Sequence, residues 1–508
     1  MLSTYINVIL ILLMPIIAIC IMCTVNVRQK VSIINLKRVS LLTLIFNSFF
    51  LIQLLMKNIF YIGTQYNFKT NIELFTFKGH AIIYEIYIDV ISLIFILITT
   101  VTFIFSFYIA DVTKNSKIDF ILKMLLYFCL VSFFSNANLL FIYISIELAF
   151  IIVFFLMLNQ NNSNKENLIP TALKFLLYNV LSSTFLLLVI IDMWSVTGTL
   201  NIIHIYEYHS YKNHSLVYFI FIMLSIFIKI GLFPFHGWVR QTYQNLSNDM
   251  TIVMMSILSK VGIYIFLRIC FSNFIVDITA YLNYIYLYCF INMLYFMCLM
   301  LYEERIKSKL AYLSITHIIF IIVGLSSLNI VGLQGAIYQS ISHSIISIAT
   351  FMPYIIINNQ LGVEKVNQFP YIAKKMPIPA LFFSLAMIFQ VSLPGTMGFV
   401  GEFLIFNSIY VTLQLFSIFF IFIIVFVLPY LVLKLNKDFI YSDVVLDNSQ
   451  VNDGVYKLNL LNFVLLLVCT LVIILLGFFP DWILDSIYNY SLTMLDIVKS
   501  SLLFFDIK

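Results

Sequence analysis

The sequence predicts an all-α polytopic membrane protein of about fourteen transmembrane helices. Hydrophobic residues fill 62% of 508 positions and charged residues 10%, with a mean hydropathy of +1.04. Soluble domains are nearer half apolar and a quarter charged. Apolar stretches of bilayer-crossing length, about 17–25 residues, recur along the whole chain. With Met1 outside, eighteen of the 28 Lys and Arg fall in inner loops and six in outer ones. That bias is the positive-inside rule, and one missed span would scramble it.

The spans read, in order, as 4–24, 40–61, 89–110, 119–135, 138–158, 169–192, 216–235, 249–270, 282–302, 309–325, 331–357, 377–410, 414–433 and 458–479. The first flows into the second without a small-residue cleavage motif, so it reads as a retained helix. Spans eleven and twelve are long enough to hold kinks or re-entrant pieces. The polar stretches 63–84, 194–214, 358–376 and 434–457 read as loops, and Asp481 to Lys508 as a short surface helix.

Two spans are broken. Gly231-Leu-Phe-Pro234 interrupts span seven, at about 230–238, and Ser392-Leu-Pro394-Gly395 interrupts span twelve, at about 392–398. They occupy comparable places in two successive five-helix blocks, 119–271 and 282–434. Five is odd, so the blocks run oppositely across the membrane, as in inverted-repeat transporters with a site at the breaks. Residues 1–118 then hold three leading spans, and 435–508 a loop, the last span and the tail.

Charges recur at bilayer depth. Glu147 is central in span five, Lys229 ends an apolar run just before the first break, Lys260 lies halfway along span eight, and Glu402 follows the second break. A fixed charge there costs about 2.5–3.5 kcal/mol on insertion scales and marks an ion path by default. Glu147 and Lys229 read either as a coupled pair switched by distance or as a static lock between helices. Lys260 is either a proton acceptor from Lys229 or a snorkelling side chain. His317 and His343, in spans ten and eleven beside Ser and Thr, are either proton relays or packing residues. His236 reads as an interfacial helix-end contact or a relay. Lys174, Asp192 and Arg268 lie near span ends, where snorkelling is the simpler account. Together the charges predict a cation path, with the proton as cargo and Glu402 as its outer terminus.

Other chemistries find little support. All seven cysteines lie in apolar spans, and the Cys20/Cys23 pair lacks a second pair or a histidine partner, so they read as small hydrophobes. No glycine-rich strand-to-helix turn is present for a nucleotide or flavin. His204, His209 and His214 share an outer loop with Glu207, a weak metal-ligand grouping. The Phe-, Tyr-, Ile- and Asn-rich composition points to an A/T-rich, organelle-encoded gene.

Five blocks follow one another in order: Tyr87 to Leu97, Lys229 to Trp238, Lys309 to His317, Gly332 to His343, and Ser392 to Phe403. In this series the chain resembles the antiporter-like membrane subunits of respiratory complex I, from about residue 85 to 435. The resemblance implies that Glu147 and Lys229 are a coupled pair, with Lys260, His317 and His343 leading to Glu402. It also implies that NADH, FMN, iron–sulfur clusters and ubiquinone are bound by partner subunits, with no cofactor or metal in this chain. Implied partners are other membrane-arm subunits, sister chains 2 and 5 as neighbours, protons and lipids such as cardiolipin, with no nucleic acid; the implied place is the mitochondrial inner membrane. Glutamate at 402, where sister chains 2 and 5 and Mrp-type antiporters typically carry lysine, and the short tail favour a different antiporter-like chain. One stretch departs from the family. After His-Gly-Trp the family continues Leu-Pro-Asp-Ala-His and then Ala-Pro-Thr, whereas this chain has Val239 to Asp249. Arg240, Tyr243 and Asp249 are the candidates to substitute there.

Overall fold

The computed structural model describes residues 2–25, 30–60, 68–77, 80–113, 115–160, 165–207, 216–362, 365–366, 372–440 and 458–503. Among the described residues, thirteen helices are long and apolar enough to cross a membrane. The shorter helices Pro377–Gln390 and Met397–Thr412, on either side of the second break, make up the remaining span. The all-α polytopic architecture and the order of the fourteen spans therefore stand as read.

Side-chain contacts sort the helix ends into two faces. On the inner face Lys37 donates to the carbonyls of Tyr108 and Ala110, Lys117 to those of Cys23 and Val25, and Lys307 to that of Leu246. Arg240 pairs with Glu303, and Lys365 with Glu304. The Lys365 hydrogen bond holds Glu304 below the ordinary carboxylate range. On the outer face Ala137 N–H donates to Glu85, Asn138 to the Ile83 carbonyl, and Arg268 to Asp89. Every partner falls on the side that the alternating charge pattern assigns.

The spans differ in what surrounds them. Spans eight, ten and eleven are almost wholly buried, whereas one, two and fourteen bury the least. The outer ring turns large apolar side chains such as Leu177, Leu415 and Phe426 outward, as a lipid-facing surface requires. Inside, hydroxyls bond back to their own helix: Thr99, Ser340, Ser347 and Thr350 each donate to a carbonyl four residues earlier. Such bonds let polar side chains sit in a dry core without an orphan donor.

One element lies outside the all-helix reading. Part of stretch 63–84 forms an antiparallel hairpin, β1 (Phe68–Phe77) and β2 (His80–Ile88), paired from Phe68↔Ile88 to Phe77↔His80. Its inner strand docks at the outer ends of spans four and five through an Ile86↔Asn136 bridge. The tail is the predicted helix, Asp481–Leu503, and it packs across the outer end of the bundle, with Ile487 and Ser491 fully buried.

Arg268 corrects the snorkelling account. It is buried, and its guanidinium grips Asp89 bidentately at 2.7 and 2.6 Å while also donating to Ser92 Oγ at 2.9 Å. Asp89 doubles as the N-cap of span three, accepting from Ser92 N–H at 2.8 Å. Tyr264 and the tail's Tyr490 flank the cation at 5.1 and 5.8 Å. Arg268→Ala would strand a buried carboxylate, a loss of about 3–5 kcal/mol. Thermal unfolding of the purified assembly should show it as a lowered midpoint, and an unchanged midpoint would contradict the pairing's structural weight.

Candidate functional site

Both predicted breaks are present and built alike. Span seven runs helically over Leu216–Ile230, turns through Gly231 at φ 82°, and resumes as Phe235–Trp238 and Val239–Asn245. That left-handed angle suits glycine, and a Cβ at 231 would stand 2.5 Å from Val239 Cγ2. The Trp238 indole donates at 3.3 Å to the Ile228 carbonyl, which also accepts from the Gly231 N–H at 3.1 Å. Span twelve stops at Gln390, passes Ser392 at φ 58° and Gly395 at φ 89°, and restarts at Met397.

A third break was not predicted. Span eight is helical over Asn248–Ser256, leaves helical geometry at Ile257, and continues through a short turn Leu258–Lys260 into Val261–Ile265. Two carbonyls are released there. The Lys260 ammonium takes that of Met255 at 2.9 Å, and Ser344 Oγ from span eleven takes that of Ser256 at 2.7 Å. Span eleven, by contrast, is one continuous helix, Ile330–Leu361, despite Pro353.

The break aims Lys260 inward. It is wholly buried, and its Nζ lies 2.5 Å from His343 Nδ1. With Lys260 charged, and so donor-only, His343 accepts at Nδ1 and carries its hydrogen on Nε2. That nitrogen contacts Ser314 Oγ at 3.1 Å. The His317 ring follows, 5.6 Å from His343 between centroids. His317 Nδ1 stands 3.3 Å from Glu402 Oε1, which also accepts from Gln339 Nε2 at 3.2 Å. Lys260, His343, His317 and Glu402, brought from spans eight, eleven, ten and twelve, thus form one buried series. No hydrogen bond joins the two imidazoles, where His317 Nε2 is buried and unpartnered, and His317 meets Glu402 at ion-pair distance without one.

Glu147 and Lys229 form a second cluster. Lys229 is 3% exposed, and its Nζ sits 4.6 Å over the Phe150 ring. Glu147 lies one turn before Phe150 on the same helix. Yet Glu147 Oε1 and Lys229 Nζ are both buried with no hydrogen-bond partner. A static lock would close that contact, because an unsatisfied buried charge is expensive. The two groups instead stand apart as an open pair, and no hydrogen bond joins Lys229 to Lys260.

The remaining expectations divide. His236 Nε2 contacts Tyr295 Oη at 2.8 Å, so it acts as a polar contact at the first break. Lys174 is half-buried beside that break, over Gly237 with Tyr178, and does not snorkel away from it. His209 and His214 lie outside the described residues. Ser314 and Gln339, direct partners of His343 and Glu402, were not singled out as site residues. Neither Ser314 nor Gln339 carries a charge to draw the eye.

Buried acids and bases strung between broken spans define a membrane protein of the ion-translocating class. The chain belongs to the NADH:quinone oxidoreductase/Mrp antiporter transmembrane family, whose profile matches residues 136–428. It is 27% identical over 456 residues to NADH-ubiquinone oxidoreductase chain 4 of Chondrus crispus, covering 89% of this chain and 90% of that one. It is 31% identical over 287 residues to NADH-quinone oxidoreductase subunit M of Rickettsia felis, covering 56% and 57%. In fold it is similar to a chain of respiratory complex I from Thermus thermophilus, with a TM-score of 0.81, 17% identity and coverage of 97% and 99%. A chain of the Mrp complex from Dietzia sp. DQ12-45-1b gives 0.80, 17%, 98% and 99%.

Proposed function

We propose that this chain is a proton-translocating membrane-arm subunit of respiratory complex I, corresponding to chain 4 of NADH-ubiquinone oxidoreductase. The observation that carries the reading is the buried series from Lys260 through His343 and His317 to Glu402. Every member can gain or lose a proton, and all four are buried in the bundle. The near-full-length match to chain 4 favours complex I over a free-standing Mrp-type antiporter or sister chains 2 and 5, a choice that fold likeness alone leaves open.

In this reading, residues 119–271 and 282–434 are two half-channels. Electron transfer from NADH to ubiquinone, through FMN and iron–sulfur clusters held by partner subunits, shifts the Glu147–Lys229 distance. Closing that pair stabilises the Lys229 charge, and opening it drives charge toward Lys260. Lys260 hands a proton to His343 Nδ1, the imidazoles pass it on, and Glu402 releases it to the outer side. Moving one charge against 100 mV requires about 2.3 kcal/mol, so the opening must be tightly coupled to the redox event. The setting is the mitochondrial inner membrane, with chains 2 and 5 as neighbours, lipids such as cardiolipin around the bundle, and the gene in the mitochondrial genome.

Lys229→Ala tests the reading. The complex should assemble, because Lys229 Nζ makes no hydrogen bond, while proton transfer through this chain should stop. Assembly is read by native electrophoresis and pumping by acidification of sealed vesicles during NADH oxidation. Parental pumping in the assembled variant would make the charges a scaffold.

A further inference from the structure

Lys123 and Asp249 form an ion pair outside the series just described. It lies at the inner ends of spans four and eight, with side chains 1% and 6% exposed. Lys123 also donates to Asn115 Oδ1 at 2.8 Å, on the half-buried inner loop. Desolvation offsets most of the attraction in such a pair, so a buried ion pair is a poor stabiliser compared with apolar packing.

The surroundings give the pair a direction. The segment Val239–Asn245, between the first break and Asp249, contains no carboxylate and no imidazole. Its Arg240 is held by Glu303. Asp249 is thus the carboxylate that the inner part of the first half-channel offers on this strand of the path. It sits in the first turn of helix Asn248–Ser256, whose far end is the break that holds Lys260. At 1.5 Å per residue, positions 249 and 260 are about 16 Å apart along the axis. Span three packs beside this helix, and its Ser106, Thr102 and Thr99 are wholly buried over the same depth. Ser106 Oγ has no hydrogen-bond partner. The charged groups around the pair are Lys37, bonded to carbonyls at the end of span three, exposed Asp111, and Asp119, which caps span four and accepts from Asn159.

We propose that the Lys123–Asp249 pair admits protons from the inner side on their way to Lys260. Inner water protonates the Asp249 carboxylate, and the ion pair opens. Lys123 keeps its own proton and turns to Asn115. Asp249 then passes the proton into the buried hydroxyls of span three, each releasing its own hydrogen toward Lys260 as it accepts one, and the pair closes again. One proton enters and one leaves per cycle, with no net change in either side chain.

This inference rests on the proton-translocation reading, and its test separates the two. Protons moved per NADH oxidised are measured with the assembled complex in sealed vesicles at several inner pH values. The double variant Asp249→Asn with Lys123→Gln keeps hydrogen-bonding groups but cannot titrate. It should assemble and lose at least tenfold of the proton transfer through this chain. Asp249→Glu keeps a carboxylate and should transfer protons with a shifted inner-pH profile, a change that a purely structural pair would not produce. Parental pumping in the assembled double variant, or an unmoved profile in Asp249→Glu, overturns the proposal; the second result decides even if the double variant fails to assemble. Lys229→Ala runs alongside. If it stops transfer while the Asp249 variants behave as the parent does, this inference alone fails. If Lys229→Ala also pumps normally, the translocation reading fails with it.

Discussion

Replacing Lys260 by methionine is expected to slow proton translocation about 10²–10⁴-fold, the usual worth of a positioned acid–base group. The physical ground is its double engagement: Nζ holds the Met255 carbonyl at 2.9 Å and faces His343 Nδ1 at 2.5 Å. Methionine fills similar volume but donates nothing, so the Met255 carbonyl loses that bond and keeps the one from Ser259 Oγ at 2.6 Å. Assembly must therefore be measured beside pumping. Lys260→Arg resolves any ambiguity. Arginine keeps a positive charge and donors for the carbonyl, yet holds its proton at every accessible pH. If Lys260 serves only to tie the broken helix together, the arginine variant should pump normally. If Lys260 must surrender its proton, both variants fail, and vesicle acidification per NADH oxidised reads the difference.

The break beside Lys260 shows where sequence reasoning runs out. Breaks one and two announce themselves through Gly231, Pro234, Pro394 and Gly395, residues whose backbone chemistry interrupts a helix in any context. No Pro or Gly lies between Met250 and Val261. That helix opens because Ser344, on another span, accepts responsibility for the Ser256 carbonyl, a tertiary event with no local trace. The converse holds at Pro353, where a breaker sits inside an intact helix, since packing can satisfy what proline releases. Arg268 was misjudged for a similar reason. Its partner Asp89 lies 179 residues away, and distance from a span end cannot separate a snorkelling arginine from a paired one. The hairpin was a different kind of miss. Apolar and polar residues alternate over Ile72 to Leu74 and again over Phe75 to Phe77, a period-two signal that the expectation of helices overrode.

The titratable residues were more legible than the connections between them. A charge inside an apolar run is visible one residue at a time, so Glu147, Lys229, Lys260, His317, His343 and Glu402 all stood out. Which of them touch depends on span rotation, which near-uniform apolar composition does not encode. The structure joins four of the six and leaves Glu147 and Lys229 as an open pair. Ser314 and Gln339 escaped notice because neutral polar residues are common in such helices.

Glu402→Gln should abolish release of protons to the outer side while leaving the fold intact. Glutamine has the shape of glutamate, and its amide oxygen can still accept from Gln339 Nε2, the bond now made at 3.2 Å. It cannot take a proton from His317, whose Nδ1 waits 3.3 Å from the carboxylate. The neighbouring backbone leaves little freedom to compensate, because Gly401 packs so closely on Gln339 that a Cβ there would lie 2.5 Å from its Oε1. Proton transfer through this chain should therefore fall about 10²–10⁴-fold with unchanged assembly. A carboxylate serving only as a counter-charge for His317 predicts something else, since Glu402→Gln would then weaken the helix contact and lower thermal stability while transfer continued. Measuring the unfolding midpoint and the proton yield on one preparation separates the two. Sustained transfer in a stable glutamine variant would move the outer terminus of the path away from residue 402.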